Sequence, residues 1–232
     1  MYTRLRLLVV CLIPLFLCMA CATTSFQKVP MPPQEEVKKQ AQDFSQQAKG
    51  LPTEVARLAL TAYHRALSRG IAQSRTLTII DYSKPSTEQR FWVFDMQSHR
   101  LLHSELVSHG KNSGQNYASK FSDRPNSLQS SIGLFRTASG HYMGKHGYSL
   151  RLTGLEPGFN GNAMQRAIVI HGAPYVSKTF AQQNGRLGLS WGCPALGVNV
   201  HRQVIDQLKG GNLVFTYYPD QRWLQQSRFL NA

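Results

Sequence analysis

The sequence predicts a mainly β domain with a few helices. Three observations predict it. Short apolar runs rich in β-branched and aromatic residues recur between turn residues, at Thr76–Tyr82, Arg90–Met96, Leu101–His109, Ser149–Leu152, Ala167–Ile170 and Leu213–Tyr218. Leu51–Ser68 and Val200–Leu208 carry apolar residues at helical spacing. About 210 residues follow the N-terminal apolar segment, enough to bury one sizeable core.

Taken in order, residues 1–21 read as an export signal. Arg4 and Arg6 precede an apolar run from Leu7 to Met19, and small residues follow at Ala20 and Ala22. The run is shorter than the roughly 20 residues a membrane span needs. Two processing routes stay open. Ala20-Cys21-Ala22 fits ordinary peptidase cleavage, and Cys18-Met19-Ala20-Cys21 resembles a lipobox that would acylate Cys21 and tether the protein to a membrane. The long polar segment that follows favours the second route. Residues 22–50, rich in Gln, Lys, Pro and Glu, read as a linker or loosely helical tether. A helix is expected over residues 51–70, opened by Pro52 and Thr53 and closed by Gly70. A folded domain is expected over 71–220. Its first strand spans Thr76–Tyr82, a hairpin turns at Gln97-Ser98, and a loop covers Gly110–Asn126. Residues 221–232 read as a C-terminal tail.

The chain carries 26 Lys+Arg against 12 Asp+Glu, a formal charge of +14. The charges are scattered and form no compact run. With an export signal, acidic wall polymers or anionic headgroups suit this surface better than nucleic acid, which is not expected as a partner. Nothing in the sequence sets an oligomeric state.

The cysteines point to chemistry. Cys11, Cys18 and Cys21 lie in the N-terminal segment, which leaves Cys193 as the single thiol of the folded part, in Ser190-Trp191-Gly192-Cys193-Pro194. Exported domains usually pair their cysteines or lack them. A lone thiol between glycine and proline is a candidate nucleophile. A free thiol ionises near pH 8.5, so it needs a base. His171 is the best placed of the eight histidines: it follows the apolar run Ala167–Ile170 and precedes Gly172-Ala173-Pro174 at a strand end. Glycine at 192 permits a sharp turn that exposes N–H groups beside the sulfur, where Gly192 and Cys193 could hold an oxyanion. Tyr142, Lys145, His146 and Ser149 form a polar stretch able to line a cleft, and Arg186 could pair with a carboxylate. No HExxH, CxxC pair or phosphate-binding glycine loop occurs, so neither metal nor cofactor is expected.

Ile170-His171-Gly172-Ala173 followed by Ser190-Trp191-Gly192-Cys193-Pro194-Ala195 resembles the L,D-transpeptidase (YkuD-type) catalytic domain, in the branch labelled murein L,D-transpeptidase catalytic domain. Ser130–Thr137, Tyr142–Leu152, Gly154-Leu155 and Arg166–Val169 extend the resemblance, which covers roughly Leu77 to Tyr218. It implies a β-sandwich-like fold with the cysteine on a loop beside the sheet. It also implies Cys193 as nucleophile, His171 as base, the Gly192 and Cys193 backbone as oxyanion hole, and Ser190, Trp191 and Gly172 at the substrate. Trp191 departs from the family, which commonly has a histidine two residues before the cysteine.

The resemblance implies attack on a peptidoglycan tetrapeptide stem, a thioester at Cys193, and transfer to an amine. Water as acceptor would make the same machinery an L,D-carboxypeptidase. A third reading, from another class, is an inactive wall-binding protein, with Trp191 as its main support.

Overall fold

The computed structural model describes residues 28–231. The signal segment 1–21 and the lipidation candidate Cys21 lie outside them. Among the described residues, five helices accompany nine strands in a mixed sheet, and no helix is long and apolar enough to cross a membrane.

The chain begins with two helices, α1 (Gln34–Gln47) and α2 (Thr53–Ser68). Strands β1 (Thr76–Asp81), β2 (Phe91–Asp95) and β3 (Arg100–Glu105) form an antiparallel meander. After a long loop come β4 (Gly133–Thr137), β5 (Tyr142–Gly144), β6 (Gly147–Gly154) and β7 (Val169–Ala173). Helix α3 (Lys178–Asn184), β8 (Ala195–Gly197), α4 (His201–Leu208), β9 (Leu213–Tyr217) and α5 (Gln221–Gln226) complete the chain. The strand order is β3-β2-β1-β9-β4-β6-β7-β8, with β5 paired to β6. Pairings β1–β9 and β7–β8 are parallel, which requires the crossovers the chain makes.

β6 is the hinge of this arrangement. Its first half pairs with β5 and β7, at Ser149↔Tyr142 and Ser149↔His171. Its second half pairs with β4, at Leu152↔Thr137 and Gly154↔Phe135. Two apolar cores result. Successive residues of β2 alternate between them: Trp92 and Phe94 enter the first, Phe91 and Val93 the second. Leu213 and Phe215 of β9 likewise oppose Val214. Such continuous apolar runs mark strands covered on both faces. The first core is covered by α1, α2 and α5. The second gathers Ile80, Phe135, Leu150, Leu152, Ile170 and Leu196 with Val204, Ile205 and Leu208 of α4.

Two expectations are corrected. Over Gln34–Gln47 the polar tether is a helix, because Val37, Ala41, Phe44 and Ala48 fall on one face and are buried. Phe44 stacks on Phe94 with ring centroids 3.8 Å apart. Gln47 accepts from Leu101 N–H at 2.9 Å and donates to His99 O at 2.9 Å, which binds the β2–β3 hairpin to α1. The C-terminal tail also packs. Asp220 caps α5 by accepting from Trp223 N–H at 2.7 Å, and Trp223 and Phe229 are fully buried in the first core.

Candidate active site

β7 and β8 bring the two chemistry-bearing residues to one cavity. His171 pairs with Ala195 across the parallel ladder, so Cys193, two residues earlier, lies level with Val169. Cys193 and His171 both line a cavity of about 550 Å³, together with Tyr142, Gly172, Ser190 and Trp191.

Cys193 is buried, and its thiol lies 3.8 Å from Ala167 O. Burial pushes the thiol up from its ordinary value, against the pull of Val169 N–H and the Arg166 guanidinium. His171 is pushed down to about 4, first by burial, then by the charges of His146 and His201, against the hydrogen bond to Gly172. At neutral pH the resting pair is therefore thiol and imidazole. His171 Nδ1 lies 3.0 Å from Gly172 O. A carbonyl only accepts, so Nδ1 carries the proton and Nε2 keeps its lone pair. This tautomer can take a proton from a thiol and return it to a leaving group.

The loop bearing Cys193 is clamped from several sides. Ser190 N–H donates to His109 O at 2.9 Å, and Lys111 N–H donates to Ser190 O at 2.8 Å. Ser130 Oγ donates to Gly192 O at 3.2 Å, and Ser108 Oγ donates to Gly188 O at 2.7 Å. Within the loop, Ser190 Oγ donates to Cys193 O at 2.7 Å and accepts from Gly192 N–H at 3.1 Å. Gly192 has φ +118°, and a Cβ there would meet Gln129 O at 2.7 Å, so only glycine fits. Gly172 is required for a different reason: the His201 ring lies 2.6 Å from where its Cβ would be.

Three expected site residues sit otherwise than the sequence suggests. Gly192 N–H is taken by Ser190 Oγ, whereas Cys193 N–H has no acceptor among the described residues. Ser149 is fully buried in β6, its hydroxyl folded back onto Gly147 O at 3.0 Å. Arg186 donates to Leu187 O at 2.8 Å and lies outside the cavity lining.

Further residues complete the lining, and of these Tyr175 carried no sequence signal. Arg166 donates to Ser122 O and Ser131 Oγ at 2.6 Å each, and to Gln129 O at 2.5 Å, tying the preceding loop beneath Gly192. Tyr175 walls the cavity, where burial raises its hydroxyl to about 12. Trp191, 66% exposed, forms a lip, with Lys145 Nζ 5.3 Å from its ring centroid. Among the described residues, no acidic side chain lines the cavity.

His171 on β7 and Cys193 on the loop before β8 thus line one cavity, in a chain whose sequence matches the L,D-transpeptidase catalytic domain. The model of that family matches residues 47–217, and the chain belongs to it. The family comprises cysteine-dependent acyltransferases that act on peptidoglycan stem peptides. Among curated proteins none matches. Solved structures similar to the chain include an L,D-transpeptidase from Mycobacterium smegmatis, 17% identical over 62% of this chain and 59% of that one, with TM-score 0.38. L,D-transpeptidase 1 of Mycobacterium tuberculosis is 13% identical over 62% of each chain, with TM-score 0.35. An L,D-transpeptidase from Stackebrandtia nassauensis is 13% identical over 84% of this chain and 97% of that one, with TM-score 0.36. The chain thus spans less than two thirds of the length of the two mycobacterial proteins.

Proposed function

We propose that the protein is an exported peptidoglycan L,D-transpeptidase in which Cys193 is the nucleophile and His171 the base. The observation that carries this reading is the His171 ring. One nitrogen is spent on Gly172 O and the other is left free in the cavity that holds the only thiol of the described residues.

His171 Nε2 takes the thiol proton as the sulfur attacks the carbonyl of the third stem residue. The S–C bond forms and the carbonyl oxygen becomes an oxyanion, which the open N–H of Cys193 is suited to receive. Collapse breaks the C–N bond to the terminal D-alanine, and the imidazolium returns its proton to the departing amine. An amine from a second stem then attacks the thioester: the C–N bond forms, the C–S bond breaks, and His171 passes the amine's proton to the sulfur, restoring the thiol. With water in place of the amine the product is a tripeptide stem, the carboxypeptidase outcome. Trp191 supports transfer over hydrolysis: an exposed indole at the lip limits access of water to the thioester while leaving space for a second stem. Acylation of Cys21 would hold the domain at the envelope membrane, close to its polymer.

Intact-mass analysis after incubation with a disaccharide tetrapeptide tests the reading. A cross-linked dimer and a transient adduct on Cys193 are expected. Loss of alanine alone selects the carboxypeptidase, and an unchanged tetrapeptide with no adduct selects a wall-binding protein.

A further inference from the structure

The turn between β5 and β6 contributes Lys145 and His146 to the cavity lining. It is a two-residue hairpin loop. Gly144 pairs with Gly147, and Lys145 and His146 form the tip. Gly147 has φ +70°, which favours glycine. A loop this short has little freedom, so its two side chains project in set directions. His146 lies flat on His171, with ring centroids 4.3 Å apart and planes 23° from parallel. Lys145 reaches Trp191 on the other rim. One tight turn therefore touches both His171 and the residue two before Cys193.

Resting on the reading of His171 as the base, we propose that His146 is a positioning residue. Its ring stacks on His171 and holds that imidazole in the plane that directs Nε2 into the cavity. The hydrogen bond from Nδ1 to Gly172 O leaves the ring free to rock about that bond, and a flat neighbour across its face removes this freedom.

Two substitutions test the stack. His146→Phe keeps a flat ring, and His146→Ala removes it. His146 is exposed, so thermal melting is expected to match the parent in both. The primary readout is the rate of Cys193 alkylation by iodoacetamide, followed by mass from about pH 5 to about pH 8. It reports thiol activation by His171 and requires no wall substrate. At neutral pH the alanine variant is expected to react about tenfold more slowly, toward the rate of His171→Gln, because misorienting a base by a fraction of an ångström is costly. The phenylalanine variant is expected to stay within about twofold of the parent, since its ring also stacks. With tetrapeptide, the alanine variant should lose kcat with KM little changed. An alanine variant alkylated at the parent rate, or a phenylalanine variant that loses as much as alanine, overturns the inference. Should the variants alkylate as expected while the tetrapeptide stays intact, the role of His146 stands and the proposed substrate is rejected.

Discussion

Two buried histidines flank the cysteine loop, and they differ in one nitrogen. His109 contributes its backbone carbonyl to hold Ser190, and His171 sits across the β7–β8 ladder from Ala195. Burial is the main cause that pushes both down to about 4, so both are neutral near pH 7. His109 spends both ring nitrogens. Nδ1 accepts from Arg90 Nη2 at 2.7 Å, and Nε2 faces Gly114 O at 3.4 Å. Arg90 is itself fully buried and spends its other donors on Val107 O and Lys84 O. His171 spends only Nδ1. Burial makes an imidazole neutral; an open nitrogen facing a cavity makes it chemically useful. On this comparison, side-chain changes at His109 should act on stability and those at His171 on turnover.

The largest effect belongs to the group that needs the open nitrogen. Cys193→Ser should abolish turnover while thermal melting stays close to the parent. Serine fits the same volume but is far less ionised near neutral pH. Parent-like alanine release in the serine variant would remove Cys193 from the nucleophile role. His171→Gln should follow, with acylation reduced by about 10²–10⁴-fold, the usual loss for a general acid–base. Iodoacetamide should then label Cys193 slowly. An unchanged labelling rate and pH profile would mean the two residues are not coupled.

How much of this arrangement could be read in the sequence depends on how local each signal is. The thiol and its imidazole were legible, because a lone cysteine after glycine and a histidine at the end of an apolar run are local patterns. Most strands were legible for the same reason. Helix α1 was partly visible: Val37, Ala41, Phe44 and Ala48 have helical spacing, but the Gln, Lys and Glu between them give the segment the composition of a tether. Trp223 and Phe229 gave no local cue, since their burial depends on a core built by α1, α2 and β9. The donor set of the loop was not legible at all. Ser190 Oγ takes Gly192 N–H because of how the loop closes, and no spacing encodes that direction. The stack of His146 on His171 had a sequence signal, a Gly-x-x-Gly pair between alternating residues, but its target lies 25 positions away.

A smaller effect is expected at the lip. Trp191→His restores the residue common in the family at this position. It removes an exposed indole and its contact with Lys145, an interaction of about 0.5–1 kcal/mol at such sites. Acylation of Cys193 should change by less than about tenfold. The ratio of alanine release to cross-link formation should rise, because water gains access to the thioester. The product ratio from tetrapeptide measures this directly. An inactive parent together with an active Trp191→His variant would instead favour the wall-binding reading of the natural protein.

The smallest effect on turnover, and the one that tests the comparison most directly, is expected from His109→Leu. Leucine fills much of the space but gives Arg90 Nη2 no acceptor, so unfolding stability at neutral pH should fall by about 1–3 kcal/mol. Turnover should stay within about threefold, because the carbonyl that holds Ser190 belongs to the backbone. The pH dependence supplies a second arm. A histidine whose folded value is depressed to about 4 binds its proton less readily folded than unfolded, where it titrates near 6.5. Its contribution to stability is therefore complete above about pH 6.5 and is lost as pH falls through about 4. His64 and His171 share this depression, so the parent should lose stability steeply across that window. His109→Leu and His171→Gln each remove one such group, and urea titrations at several pH values should show a shallower acid slope for both. Only the second should lose turnover. Equal catalytic losses in the two variants would break the division between a histidine that holds the loop and a histidine that serves the thiol.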